Sequence, residues 1–162
     1  MLRRPRGDEE PASGAAPPAA GASVLVVSDK DGSCELLRRL LRTAGFEVEH
    51  ASNAGQAMSL LALMRPACAV LDLSVAGAGH NLELLATIRR QMDARVANTP
   101  VVLITQQKAG RLFAWKAGTD ALLVRPFHAR ELVEAVRDVI ARPAAQRAAY
   151  RRRQVEAATA SP

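Results

Sequence analysis

Two acids, a threonine and an arginine stand directly behind short apolar runs. Ser28 and Asp29 follow Val24 to Val27, Asp72 follows Cys68 to Leu71, Thr105 follows Val101 to Ile104, and Arg125 with Pro126 follows Ala121 to Val124. If those runs are strands of one parallel sheet, all of these residues come to its carboxyl edge, where such sheets bind ligands at the reversal of strand order. The planar fork of Arg125 can there grip a carboxylate through two hydrogen bonds at once, which a lysine cannot do. Other chemistries find less support. His50, His80 and His128 are scattered over different segments without a shared ligand spacing, so neither a zinc site nor a catalytic dyad is indicated. Ser13, Ser23 and Ser28 lack a nucleophile elbow, which argues against a hydrolase. Cys34 and Cys68 sit among apolar neighbours and read as two buried, reduced thiols.

The elements that must position these residues alternate along the chain. Apolar runs at Val24 to Val27, Phe46 to His50, Cys68 to Leu71, Val101 to Ile104 and Ala121 to Val124 predict five strands. Amphipathic stretches fall between them. Leu36, Leu37, Leu40 and Leu41 mark one helix face ending at Gly45, and Ala57, Leu60, Leu61 and Met64 mark another stopped by Pro66. Further helices are expected at Leu82 to Met92, around Leu112 to Ala117 before Gly118, and from Ala129 to Ala141 before Pro143. The pattern is a (βα)5 alternation, hence an α/β fold with a doubly wound, five-stranded parallel sheet.

Composition agrees with one domain. The chain has 162 residues, nearly half apolar but only five aromatic, so its core must be made of Leu, Val, Ala and Ile. Residues 1–22 mix Pro, Ala, Gly and charge without periodicity and are expected to be a disordered leader. The domain is assigned to residues 23–141 and an arginine-rich tail to 142–162. That tail holds five arginines against Glu156 and supplies most of the net charge of +6, so an anionic partner is expected for the tail and not for the near-neutral domain. No run of about 18 apolar residues exists, and residues 1–22 lack the apolar stretch of a signal peptide, so a cytoplasmic protein without a membrane partner is expected.

Over roughly residues 23–141 the chain resembles the receiver domains of two-component response regulators. The resemblance is carried by Val24-Leu-Val-Val-Ser-Asp29, Ala69-Val-Leu-Asp72-Leu, Thr99-Pro-Val-Val-Leu-Ile-Thr105 and Gly118-Thr-Asp-Ala-Leu-Leu-Val-Arg-Pro126-Phe127, in order and at the family's spacing. It implies the flavodoxin-like receiver fold, with a cis bond before Pro126. By the same resemblance Asp72 would accept a phosphoryl group from a histidine kinase or phosphotransfer protein. Asp29, Asp72 and the main-chain carbonyl of Ser74 would hold Mg²⁺, while Thr105 would hydrogen-bond the phosphoryl oxygen. A hard cation and a positive side chain suit that chemistry, because a carboxylate attacking a phosphoryl donor gathers negative charge. A signalling module and not an enzyme is therefore expected, acting on a downstream protein through its fourth helix, fifth strand and fifth helix. A stand-alone receiver is therefore expected, without an output domain after it.

Several positions depart from the family pattern. Ser28 replaces the first of two adjacent acids, which should weaken Mg²⁺ binding. Arg125 replaces a lysine and is expected to clamp Asp72 even without phosphate. Gln106 stands where a small residue admits the phosphoryl donor, Leu122 stands where an aromatic ring swings inward, and the stretch from Thr105 to Gly118 is about two residues shorter than is usual. These departures leave open an alternative: a phosphate-independent adaptor whose tail reads an anion. Tyr150, Arg151, Arg152 and Arg153 could stack on and fork to a nucleotide, and the tail resembles those of atypical receivers that bind cyclic di-GMP. Trp115, with Phe113 nearby, reads either as core or as a partner contact.

Overall fold

The computed structural model describes residues 21–73, 79–106 and 110–160. The expected leader therefore lies, up to residue 20, outside the described residues. The elements run β1 (Ser23–Ser28), α1 (Asp31–Thr43), β2 (Glu47–Ala51), α2 (Ala54–Met64), β3 (Cys68–Asp72), α3 (Gly79–Arg89), α4 (Ala94–Ala97), β4 (Val101–Thr105), α5 (Arg111–Ala117), β5 (Ala121–Val124), α6 (Ala129–Ala141) and α7 (Ala144–Ala160). All strand pairs are parallel, in the order β2-β1-β3-β4-β5. The five-stranded parallel sheet expected from the sequence is the one found.

Strand periodicity divides the core in two. Along β1, Val24 and Val26 join Cys34, Leu37, Leu41, Leu132 and Val136 on one side of the sheet, while Leu25 and Val27 join Leu61, Leu85 and Ile88 on the other. Successive side chains of a strand point to opposite faces, so a strand covered on both sides must be apolar at every position. All five residues of β3 are buried, Asp72 included. Each buried Leu or Val of these layers contributes about 1.5–3 kcal/mol.

Helix ends follow local chemistry. The Asn53 side chain accepts a hydrogen bond from the Gln56 amide at 2.9 Å and starts α2, which Pro66 follows after Arg65 in a left-handed conformation at φ 46°. Gly118 ends α5 at φ 105°, a conformation a side chain disfavours.

The structure also corrects details of the sequence reading. In α1 the buried side chains are Cys34, Leu37 and Leu41, whereas Leu36 is turned to solvent. One of four consecutive-pair leucines must leave the stripe, because a helix face admits only about every third or fourth residue. The third helix both begins and ends three residues before the expected Leu82 to Met92, since Asp93 starts the separate one-turn α4 by accepting from the Arg95 amide at 2.9 Å. Beyond residue 141, residues Ala144–Ala160 form a helix lying on α5. The Arg125–Pro126 bond is cis, as the resemblance implied.

Candidate functional site

The carboxyl ends of β1, β3, β4 and β5 deliver the residues expected there. The register pairs Ser28 with Asp72 and Thr105 with Val124, so these strand ends lie level. A cavity of about 170 Å³ opens at this edge, lined by Asp72, Thr105 and Arg125 together with Lys30, Asn81 and Leu122.

Asp72 and Arg125 form the central contact. Arg125 Nη1 donates to Asp72 Oδ1 at 2.6 Å and Nη2 to Oδ2 at 2.8 Å, a bidentate pair that spans β4. Hydrogen bonding to Asp72 raises the affinity of Arg125 for its proton, against a smaller opposing effect of burial. The Arg125 amide donates to the Thr105 carbonyl at 2.8 Å, and the guanidinium lies 5.9 Å from the centre of the Phe127 ring. The clamp expected from the sequence is thus present without phosphate.

Asn81 had no role in the sequence reading. Its buried side chain accepts from the Leu73 amide at 2.8 Å and donates to the Leu73 carbonyl at 2.9 Å, fixing the chain as it leaves Asp72. Only the fold reveals it, because an asparagine nine residues beyond an aspartate has no signature of its own.

The other expected site residues are distributed as follows. The Ser28 hydroxyl donates to the Lys30 carbonyl at 3.3 Å and so serves a local turn. Half-buried Asp29 lines a neighbouring hollow with Asn53, Met58, His80 and Leu84, and not the cavity of Asp72. Ser74 lies outside the described residues. Gln106 is exposed at the cavity mouth. His50 Nε2 lies 3.2 Å from the Ser28 carbonyl, a structural contact, and His80 is exposed.

In this arrangement the residues do not fit a divalent cation. Both Asp72 oxygens are occupied by a cationic group, and among the described residues no three His, Cys, Asp or Glu side chains converge. Hard cations require several oxygen ligands free of competing positive charge.

A second charged centre lies at the opposite end of β5. Asp120, whose side chain is fully buried, accepts from Arg89 Nη2 at 2.7 Å and from the Val101 amide at 2.9 Å. Arg151 of α7 also donates to Asp120, and Arg147 Nε stands 3.6 Å from it. Tyr150 lies edge-on to Trp115 with ring centres 5.7 Å apart, and the Arg142 guanidinium lies over the Tyr150 ring, 4.7 Å from its centre. Trp115 is consequently buried, while Phe113 is exposed. Of the tail residues proposed to meet a nucleotide, Tyr150 and Arg151 are thus engaged within the chain; Arg153 is exposed with its guanidinium 5.9 Å from the centre of the Tyr150 ring, and Arg152 is exposed.

Comparison with known proteins agrees with this geometry. The family model described as response regulator receiver domain matches residues 24–137. The transcriptional regulatory protein SrrA of Staphylococcus aureus is 28% identical over 121 residues, covering 74% of this chain and 48% of SrrA. The chain therefore spans about half the length of that relative. Among solved structures, a Chloroflexus aurantiacus J-10-fl protein described as a response regulator superposes with a TM-score of 0.68 at 26% identity, covering 75% of this chain and 99% of that one. The chemotaxis response regulator CheY4 of Vibrio cholerae gives a TM-score of 0.65 at 23% identity, covering 74% and 98%, a likeness of fold.

Proposed function

Because the chain belongs to the response regulator receiver domain family, a family of signalling modules, we propose that Asp72 is its phosphoacceptor. The observation that carries this reading is the convergence of Asp72, Thr105 and Arg125 on one cavity at the carboxyl edge of the sheet. A carboxylate oxygen of Asp72 attacks the phosphorus of a phosphohistidine on a histidine kinase or phosphotransfer protein. The phosphorus–nitrogen bond breaks, and the imidazole leaves with the electron pair. The Arg125 fork then passes from the carboxylate to the phosphoryl oxygens, and the Thr105 hydroxyl donates to one of them. Opening the clamp is part of this reaction, since both Asp72 oxygens begin paired. No step is assigned to Mg²⁺. The outcome is read by a protein partner on the face made by α5, β5 and α6. The chain is proposed to act in the cytoplasm; among the described residues no helix is long and apolar enough to cross a membrane.

The bidentate clamp itself favours a second reading, in which the domain is a phosphate-independent adaptor held in one state by Arg125. In that reading an anionic ligand such as cyclic di-GMP meets the exposed arginines of α7. Incubation with acetyl phosphate and Mg²⁺, followed by Phos-tag electrophoresis and intact mass, separates the two. A phosphoryl adduct in the wild type and none in Asp72→Ala supports the first reading. No adduct in folded protein overturns it and makes titration with cyclic di-GMP the next experiment.

A further inference from the structure

We propose that the surface formed by α5, β5 and α6 recognises an arginine-bearing helix of another protein, and that the chain's own α7 is a resident, exchangeable occupant of it.

Three observations carry this. The first is what holds α7 in place. The one buried residue of this 17-residue helix is Arg147, while its apolar Ala148, Tyr150 and Val155 are only half-buried. Its polar attachment includes Arg147 and Arg151, one turn apart on one face, directed at Asp120, with Tyr150 between them against Trp115, and Arg147 Nη2 also donates to the Asn98 carbonyl at 2.6 Å. Of its two ionic contacts only that of Arg151, whose side chain is 23% exposed, lies within reach of solvent and salt, whereas Arg147 meets Asp120 in the interior.

The second is a surplus of charge. Asp120 carries one negative charge and meets three guanidinium groups. Arg89 alone neutralises it from within the domain, and also donates to the carbonyls of Gly118, Ala97 and Thr99. The interior is therefore satisfied before α7 arrives. The two arginines of α7 come as an addition, and repulsion among the three cations adds to burial in lowering the hold of Arg89 and Arg147 on their protons.

The third is charge complementarity beyond α7. The groove lined by Tyr150 and Arg142 is lined also by Glu131, Glu134 and Asp138 of α6 and by Leu123, with Arg111 as its one cation from outside residues 142–160. Resident α7 fills only part of an acidic, partly apolar groove. A partner helix with arginines four residues apart and an aromatic residue between them would take the Asp120 and Trp115 positions and could extend along these acids.

The inference does not depend on the chemistry at Asp72. Its test uses a fluorescein-labelled peptide of residues 142–160, titrated into the full-length wild type and the full-length Arg147→Ala/Arg151→Ala variant. A tethered helix competes at an effective concentration of about millimolar. The peptide is therefore expected to bind the double variant at least about tenfold more tightly than the wild type, and to lose that binding when Asp120→Asn is added. Equal affinity for wild type and variant, equal binding by a scrambled peptide, or binding that survives Asp120→Asn overturns the proposal. So does no binding to a double variant shown by circular dichroism to be folded. Should that variant not fold, Tyr150→Ala is used instead. Trp115 is the chain's sole tryptophan, so its emission should shift to the red as α7 leaves and return on peptide binding, and emission that does neither overturns the proposal.

Discussion

Arg125 grips Asp72 with both terminal nitrogens at 2.6 and 2.8 Å, from 53 residues further along the chain and across an intervening strand. The carboxylate that would attack a phosphoryl donor is thereby held by the group that would receive the product's charge. The clamp and the nucleophile compete for the same oxygens.

Replacing Arg125 by Lys should release one of the two bonds while keeping the positive charge. A charge-assisted hydrogen bond of about 1.5 kcal/mol corresponds to a factor of about ten in rate, so labelling of Asp72 by acetyl phosphate is expected to accelerate by up to that factor. Time courses on Phos-tag gels measure it. An unchanged or slower rate would show that the clamp does not restrain the ground state.

Asn81→Ala should destabilise the domain by about 1–3 kcal/mol, because it strands the amide and carbonyl of buried Leu73. Urea unfolding monitored by circular dichroism reads the change. A loss well below 1 kcal/mol would mean that water replaces both contacts.

Arg89 and Gly118 should behave as a coupled pair. Arg89→Ala leaves three carbonyls without their donor and is expected to cost about 2–4 kcal/mol, moderated because Asp120 retains two arginines. Gly118→Ala adds a methyl 3.0 Å from Arg89 Cγ and Nε at a φ of 105°, and is expected to cost about 1–3 kcal/mol. Part of that cost is crowding against Arg89, so the double variant should lose less than the two single losses together. Additive losses would remove the crowding and leave only backbone strain.

Both cysteines should be sluggish thiols. Burial is the largest effect on each and raises the pKa, so the nucleophilic thiolate is suppressed at neutral pH and returns only on alkaline titration or unfolding. Ellman's reagent should react slowly with native protein and stoichiometrically in urea. Cys68, the more deeply buried, should be the slower when Cys34→Ala and Cys68→Ala variants are compared.

What was legible in the sequence was whatever a strand or helix period imposes. Five apolar runs mark the strands, and the rule for parallel sheets brings Asp72, Thr105 and Arg125 to one edge. What was not legible depended on partners distant in sequence. Asp120 lay in plain view within the Gly118 to Phe127 motif, yet a buried acid becomes recognisable only with Arg89, Arg147 and Arg151 around it. For the same reason the packing of α7 on α5 was not legible. Its pattern has no apolar stripe, and its attachment uses residues that composition counts merely as positive charge.

The two arginine–aspartate centres sit at opposite ends of one strand. β5 is an edge strand of four half-buried residues, the kind of element that ordinarily frays. Here Asp120 anchors the residue before it and Arg125 the residue after it, so the strand is moored at bow and stern. Both moorings resist slippage in register, and an event that loosens the Arg125 side chain leaves Asp120 and the ladder to β4 to hold the strand.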